Sequence, residues 1–442
     1  SILIHLQLQV LTLKMGKLIM NSYNKIIQLN RTNLISLNNK FQTTLFQYNS
    51  NICSAQSSKK YLHTLNLNPS QVHDQCRSYK AFNSNTNGTL PIAKQHCFLS
   101  YRCKNIFTKG RTYSTMTGLI SDEPREFRIG VPNGHIAGKV WNESAKVAVL
   151  CLHGWQDNAG SFDLLAPLLP NHLCLVAFDF SGHGRSSHKP LGFSSTSVDY
   201  LITIDRVVKY YGWKQVIILG HSLGGGVGMI YAGARPKVVH TLIMLDMIKL
   251  LHLSPDSTPT RTEKALDVLV EVERKIMSKS RPAYPFDELL QRGMKSHAGS
   301  LDERGVRTLL KRGSIELPNG LHSFSYDLQI TTPNLWSMTL DQHVAFAERM
   351  RCRLMILRAD AGLWVQEKKY FDDIIEKYRS SCSEFVFLTV PGTHHFHLRT
   401  PETAAVHIAE FLSVEKLEGF INNVSESGGS VVTEADKKHG RL

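Results

Sequence analysis

The stretch VIILGHSLGGG, residues 216–226, constrains this chain more than any other. Four apolar residues lead into a serine with a glycine two positions away on either side, and the GVGMIYAGARP that follows reads as helix. A strand that passes into a helix over so few residues has to turn sharply, and only residues without bulk fit beside such a corner. A hydroxyl held at that corner stands at the carboxyl edge of a sheet, beneath the start of the next helix. The pattern therefore demands a sheet with helices packed on it, and it makes Ser222 a candidate nucleophile.

The rest of the body meets that demand. EFRIGV and HIAGKVW, joined by PNG, read as an opening hairpin. VAVLCLH (147–153) and LCLVAFD (173–179) are unbroken apolar runs, as expected of strands buried on both faces, and SFDLLAPLLP between them reads as a short helix closed by Pro170. Residues 198–211 carry apolar side chains at helical spacing, and TLIML (241–245) is a further strand. RLMIL (353–357), a helix over 367–378, EFVFLTV (384–390) and a closing helix over 401–412 complete the alternation. The sequence thus predicts an α/β fold, a mostly parallel eight-stranded sheet with helices on both faces.

Between residues 249 and 347 the alternation stops. This segment is helical, charged and interrupted by SPDSTPT and RPAYPFD, which predicts a helical cap inserted after strand 6 rather than a separate domain. Its Leu250, Leu251, Leu253, Phe324 and Trp336 are candidates for an apolar substrate pocket and equally for the cap's own core. The expected organisation is a leader over 1–115, core over 116–248, cap over 249–347, core again over 348–415, and a polar tail over 416–442.

The net charge of +14 would suggest nucleic acid or an anionic surface if it were spread evenly. It is not. Residues 1–115 hold 14 Lys and Arg against the single acid Asp74, whereas residues 116–442 hold 37 against 36. Basicity belongs to the leader, and a nucleic-acid role for the body is disfavoured. The leader is rich in Asn, Ser, Leu and Gln without sustained periodicity, so it is expected to be disordered or upstream sequence, with the working protein starting at Met116. No apolar run reaches the roughly 20 residues of a membrane-spanning helix. Cys151 and Cys174 sit within apolar runs and no cysteine pair has CxxC spacing, so reduced thiols, no disulfide framework and no metal site are expected.

Gly220, His221, Ser222, Leu223 and Gly224 form a G-x-S-x-G corner that resembles the nucleophile elbow of the α/β-hydrolase fold. A serine hydroxyl needs a base, an acid that orients the base, and donors for an oxyanion. VPGTHHFHLRTPE, after the last strand, offers three histidines: His394, His395 and His397. The strand ends offer two carboxylates, Asp246 after TLIML and Asp360 in LMILRADAGLW. An aspartate behind five apolar residues is costly to bury alone, and an imidazole would be a fitting partner.

The stretches GHIAGKVW, VLCLHGWQDNAGSFDLLAPLLP, VAFDFSGHGRSSH, ILGHSLGGGVG, LIMLDM and VPGTHHFHL together resemble the serine hydrolase-like branch of that superfamily over residues 116–415. The resemblance implies backbone oxyanion donors at Trp155 and Leu223, with His153 and Gly154 shaping the first of these turns. It implies His394 as base, seven residues before Pro401, with His395 and His397 behind it or at the surface. It also implies that Asp179 and its glycines shape a turn beside the pocket. Most members carry the acid after their seventh strand in a pattern like G-x-x-D, where this chain has Gly362; others carry it after the sixth. Asp246 is therefore preferred, with Asp360 as the alternative.

The resemblance implies a serine hydrolase acting on an ester or related acyl bond, of the carboxylic-ester hydrolase class, on a small to medium hydrophobic small molecule and without a cofactor. The glycines near Ser222 lack the basic residue and spacing of a phosphate loop. Carbon–carbon bond hydrolysis or cofactor-free lyase chemistry on the same side chains is a second reading, and a ligand-sensing protein with an idle site a third. The cysteines lead to an expectation of a cytoplasmic protein, while the terminal GRL loosely resembles a peroxisomal signal.

Overall fold

Consecutive residues of the apolar runs belong to two different cores. Leu150, Val176, Ile218, Leu242 and Ile356 enter one hydrophobic cluster, while Val149, Leu175, Ile217, Ile243 and Met355 enter another. Side chains alternate across a strand, so runs without polar residues are what a sheet covered on both faces requires.

The computed structural model describes residues 119–426 except 121–122, 193–195, 253, 279–280, 334–336 and 364–368. The expected leader, Met116, Leu253, Trp336 and the tail from residue 427 lie outside the described residues. The main sheet contains β1 (Arg125–Val131), β2 (Gly134–Trp141), β3 (Val147–Leu152), β4 (Leu173–Phe178), β5 (Val216–His221), β6 (Val239–Leu245), β9 (Arg353–Ala361) and β10 (Glu384–Thr393). Its order is β1-β2-β4-β3-β5-β6-β9-β10. The β1–β2 and β2–β4 pairs are antiparallel, and every other pair is parallel. The predicted α/β fold with its mostly parallel eight-stranded sheet is thus observed.

Helices α1 (Ser197–Tyr210) and α2 (Leu223–Ala234) follow β4 and β5. Between β6 and β9 lie α3 (Thr258–Met277), α4 (Phe286–Ser296), α5 (Glu303–Gly313), a hairpin of β7 (Ser314–Glu316) and β8 (His322–Phe324), and α6 (Leu340–Arg349). After β9 come α7 (Lys369–Ser381), α8 (Phe396–Arg399), α9 (Pro401–Phe411) and α10 (Val414–Glu426). Helices α4 and α5 of the insertion enclose a small core of their own, built from Leu289, Leu290, Leu301, Val306, Leu309 and Leu310 together with Leu398 of α8. Helix α6 packs instead on α2 and α7, so the part of the insertion that stands apart from the sheet layers ends before it. Among the described residues no helix is long and apolar enough to cross a membrane.

Two local expectations are corrected. SFDLLAPLLP is not one helix but two 3-10 turns, Ala159–Phe162 and Ala166–Leu168. Pro167 stands at the start of the second, where it lacks an N–H to continue a helix from the first. The body also does not end at residue 415: α10 runs through the start of the expected polar tail, because Leu417 and Phe420 are buried against the second core.

Candidate active site

The corner between β5 and α2 has the geometry that its sequence demands. Ser222 is held at φ 49° and ψ −117°, a backbone conformation L-residues rarely adopt. A Cβ at Gly220 would lie 2.5 Å from the Gly225 nitrogen, and one at Gly224 would lie 2.2 Å from the Leu152 carbonyl oxygen of β3. Both glycines are therefore required by close backbone packing. Leu223 opens α2, and the N–H of a first helical residue has no acceptor within its own helix. Trp155 lies just beyond β3 in the HGWQDN turn. It is not a core aromatic: the residue is 52% exposed, and the indole N–H donates to the Ile330 carbonyl of the insertion at 3.0 Å. His153 shapes this turn by donating from Nδ1 to the Gly154 carbonyl (2.7 Å) and accepting the Phe180 N–H at Nε2 (3.0 Å).

Strand ends bring Ser222, His394 and Asp246 together. His394 Nε2 lies 2.8 Å from Ser222 Oγ, and its Nδ1 lies 2.7 Å from Asp246 Oδ2. A carboxylate only accepts, so Nδ1 carries the hydrogen and Nε2 is left as the acceptor for the serine hydroxyl. Asp246 is only 3% exposed and takes a positive φ of 46° at the end of β6. Its other hydrogen bonds come from the backbone N–H groups of Ala359 (2.9 Å, to Oδ1) and Leu363 (3.1 Å, to Oδ2). Burial alone would raise its pKa, but His394 and these two amides hold it below the usual carboxylate value.

Asp360 is not part of this arrangement. It is exposed at the end of β9 and accepts the N–H groups of Ala361 and Gly392. The glycine at the family's usual acid position now has a spatial reason: a Cβ on Gly362 would lie 2.3 Å from each Asp246 oxygen. The carboxylate of one strand end fills the space that a side chain on the neighbouring strand end would take.

His395 and His397 are buried, which rules out the surface reading, and His395 belongs to a second group that the sequence reading did not single out. Around the enclosed carboxylate of Asp157 stand His221 Nδ1 at 3.3 Å, His297 Nε2 at 3.5 Å and His395 Nε2 at 3.5 Å. The donor atoms of Asp157, His297 and His395 all lie within 4.8 Å of one another, an arrangement that could hold a metal ion. Burial lowers His221 to about 4 and takes His397 well below the ordinary imidazole value. For His297 burial acts in the same direction, yet the neighbouring Asp157 leaves its pKa raised. Asp157 itself is held well below the carboxylate range: burial would raise it, and His395, His221 and His297 more than offset that. A small cleft of about 60 Å³ reaches Asp157 and His297 between the insertion and the 156–158 turn; Ser222 is not among its lining residues.

Asp179 fixes the turn expected of it. It accepts the N–H groups of Ala159 and Arg185 at 2.7 and 2.8 Å, and its Oδ2 meets Arg312 Nη2 of α5 at 2.7 Å. The candidate pocket residues divide: Leu250 packs against α2 beside Gly226, Phe324 joins the insertion's core, and Leu251 is exposed.

Comparison with known proteins gives the family. Residues 149–406 match the profile described as Alpha/beta hydrolase family. A "Probable serine hydrolase" of Drosophila melanogaster is 38% identical over 308 residues, 69% of this chain and 92% of that protein. "Serine hydrolase-like protein 2" of Homo sapiens is 34% identical over 321 residues, 67% of this chain and 95% of that protein. Among solved structures, a hypothetical protein of Pseudomonas aeruginosa superposes with a TM-score of 0.57 at 28% identity, covering 64% of this chain and 96% of its own. The chain belongs to the alpha/beta hydrolase family and, within it, is similar to the serine hydrolase-like proteins.

Proposed function

We propose that the protein is a serine hydrolase that cleaves an ester or related acyl bond of a small to medium hydrophobic substrate through an acyl-enzyme on Ser222. The observation that carries this reading is the hydrogen-bonded series Ser222 Oγ, His394 Nε2, His394 Nδ1, Asp246 Oδ2, at 2.8 and 2.7 Å. His394 takes the hydroxyl proton as Ser222 attacks the carbonyl, and Asp246 keeps the ring in the correct tautomer and stabilises the imidazolium. The backbone N–H groups of Trp155 and Leu223 are the proposed donors to the oxyanion. His394 then returns the proton to the leaving alcohol or amine, draws one from water, whose oxygen attacks the acyl-enzyme, and passes that proton to Ser222 Oγ as the acid is released. The resting serine is neutral and the buried carboxylate is ionised, as this sequence requires.

The insertion over residues 249–347 is proposed as the cap that limits substrate size. A fluorophosphonate probe tests the proposal, because it reacts only with a serine whose base and oxyanion donors are assembled. Labelling of the wild type that is lost in both Ser222→Ala and His394→Ala is the expected result. A folded wild type that takes up no probe would overturn the acyl-enzyme reading in favour of a ligand-binding protein with an idle site.

A further inference from the structure

The three histidines around Asp157 have their tautomers set by their outer neighbours. His221 Nε2 faces the His394 carbonyl oxygen at 3.0 Å, and His297 Nδ1 faces the Gly293 carbonyl oxygen at 2.7 Å. Carbonyls only accept, so these nitrogens carry the hydrogens. His395 Nδ1 lies 2.8 Å from Ser300 Oγ, whose own hydrogen goes to the His297 carbonyl at 2.7 Å; Nδ1 of His395 must therefore donate. In each neutral ring the remaining nitrogen is a lone pair, and each of these lone pairs is turned toward Asp157. Both Asp157 oxygens and His221 Nδ1 are buried without a hydrogen-bond partner. Acceptors facing acceptors in a closed space repel, and such a group is retained only with a cation among its members.

A proton on His297 would serve Asp157 Oδ1 and leave Oδ2 between the lone pairs of His221 and His395. A divalent ion has the charge and the reach to engage several of these atoms together. Imidazole nitrogens with one carboxylate oxygen form the donor set of zinc-class ions, and ring N–H groups tied to outer carbonyl or hydroxyl oxygens are the usual support of such ligands. Zinc–ligand bonds of about 2.0–2.1 Å give a tetrahedral edge of about 3.3–3.4 Å. His395 Nε2 lies 3.5 Å from Asp157 Oδ2 and His297 Nε2 lies 3.5 Å from Oδ1, close to that edge for each oxygen.

We propose that Asp157, His297 and His395 bind a divalent cation of the zinc class. The ligands come from the turn after β3, the end of α4 and the loop after β10, so cysteine spacing could not have announced the site. The cleft that reaches Asp157 and His297 is the route in. The ion fastens the insertion, through His297, to the sheet edge, through Asp157 and His395.

The test uses the full chain, stripped with EDTA and titrated with Co²⁺ and then Zn²⁺. Uptake of one equivalent is expected, with the visible bands of four-coordinate Co²⁺, which Zn²⁺ abolishes, and a melting temperature raised by Zn²⁺. Loss of an outer partner costs about 10–100-fold in metal affinity, so His297→Ala should weaken Zn²⁺ binding by at least ~100-fold and remove the bands. Ser300→Ala, which frees the His395 tautomer without touching a ligand, should weaken binding by about 10-fold and serves if His297→Ala does not fold. A stripped wild type that takes up no Zn²⁺ overturns the proposal and leaves a proton as the cation. Uptake equal in wild type, His297→Ala and Ser300→Ala is an adventitious ion only and overturns it as well. None of these readouts depends on Ser222.

Discussion

His394 and His395 are consecutive residues that turn to different buried aspartates, and the two aspartates are treated very differently. Asp246 receives hydrogen bonds from His394, Ala359 and Leu363 at 2.7–3.1 Å. Asp157 receives none, and its histidines stop at 3.3–3.5 Å. The same two residue types thus build a relay in which every proton has a defined position, and beside it a pocket of facing lone pairs. What separates them is the outer partner of each ring: Asp246 faces the N–H of His394, whereas outer carbonyls and a hydroxyl claim the N–H groups around Asp157. Residue type gives a cluster its repertoire, and the tautomer selects from it.

The sharpest way to break the comparison is to remove the group that only the first cluster serves. Ser222→Ala should reduce hydrolysis of an activated ester by about 10⁶-fold, read as kcat under saturating substrate. Asp246→Asn keeps the shape but lets the ring adopt the wrong tautomer, and a loss of about 10⁴-fold in kcat with little change in KM is expected. Asp179 supplies a third buried carboxylate for calibration, paired by full hydrogen bonds with Arg312, whose side chain is 1% exposed. Arg312→Met strands that charge and should lower unfolding free energy by about 3–5 kcal/mol in urea titrations. Gly362→Ala pushes a methyl into the Asp246 oxygens; a small displacement of the acid should reduce kcat by about 10²-fold while the melting temperature barely moves. Asp360→Asn, at the exposed strand end, should change kcat by no more than about twofold. A large effect there would reassign the acid.

The parts legible in the sequence were those written locally. The corner at Ser222 is specified within five residues, and the sheet by runs whose alternate side chains enter opposite cores. The candidate acid was half legible: Asp246 could be placed at a strand end, but the reason for glycine at 362 appears only when β6 and β9 lie side by side. The group at Asp157 was not legible, since it joins residues 157, 221, 297 and 395 through a strand end, a helix end and two loops. Composition misled at the tail, where a polar average concealed Leu417 and Phe420 on one buried helix face.

Leu398 has a mechanical consequence. It stands four residues beyond His394, yet its side chain completes the core of α4 and α5. The same half of the insertion is moored by Arg312 to Asp179 and by Asn158, whose side-chain amide donates to the Leu309 carbonyl at 3.0 Å. Helix α3, in contrast, buries only Ala265 and Val272 among its described side chains and leaves Val270 and Met277 mostly in solvent. The insertion is consequently an awning bolted along one edge: lifting α5 would drag on the loop that carries His394, whereas α3 is held by far less buried surface.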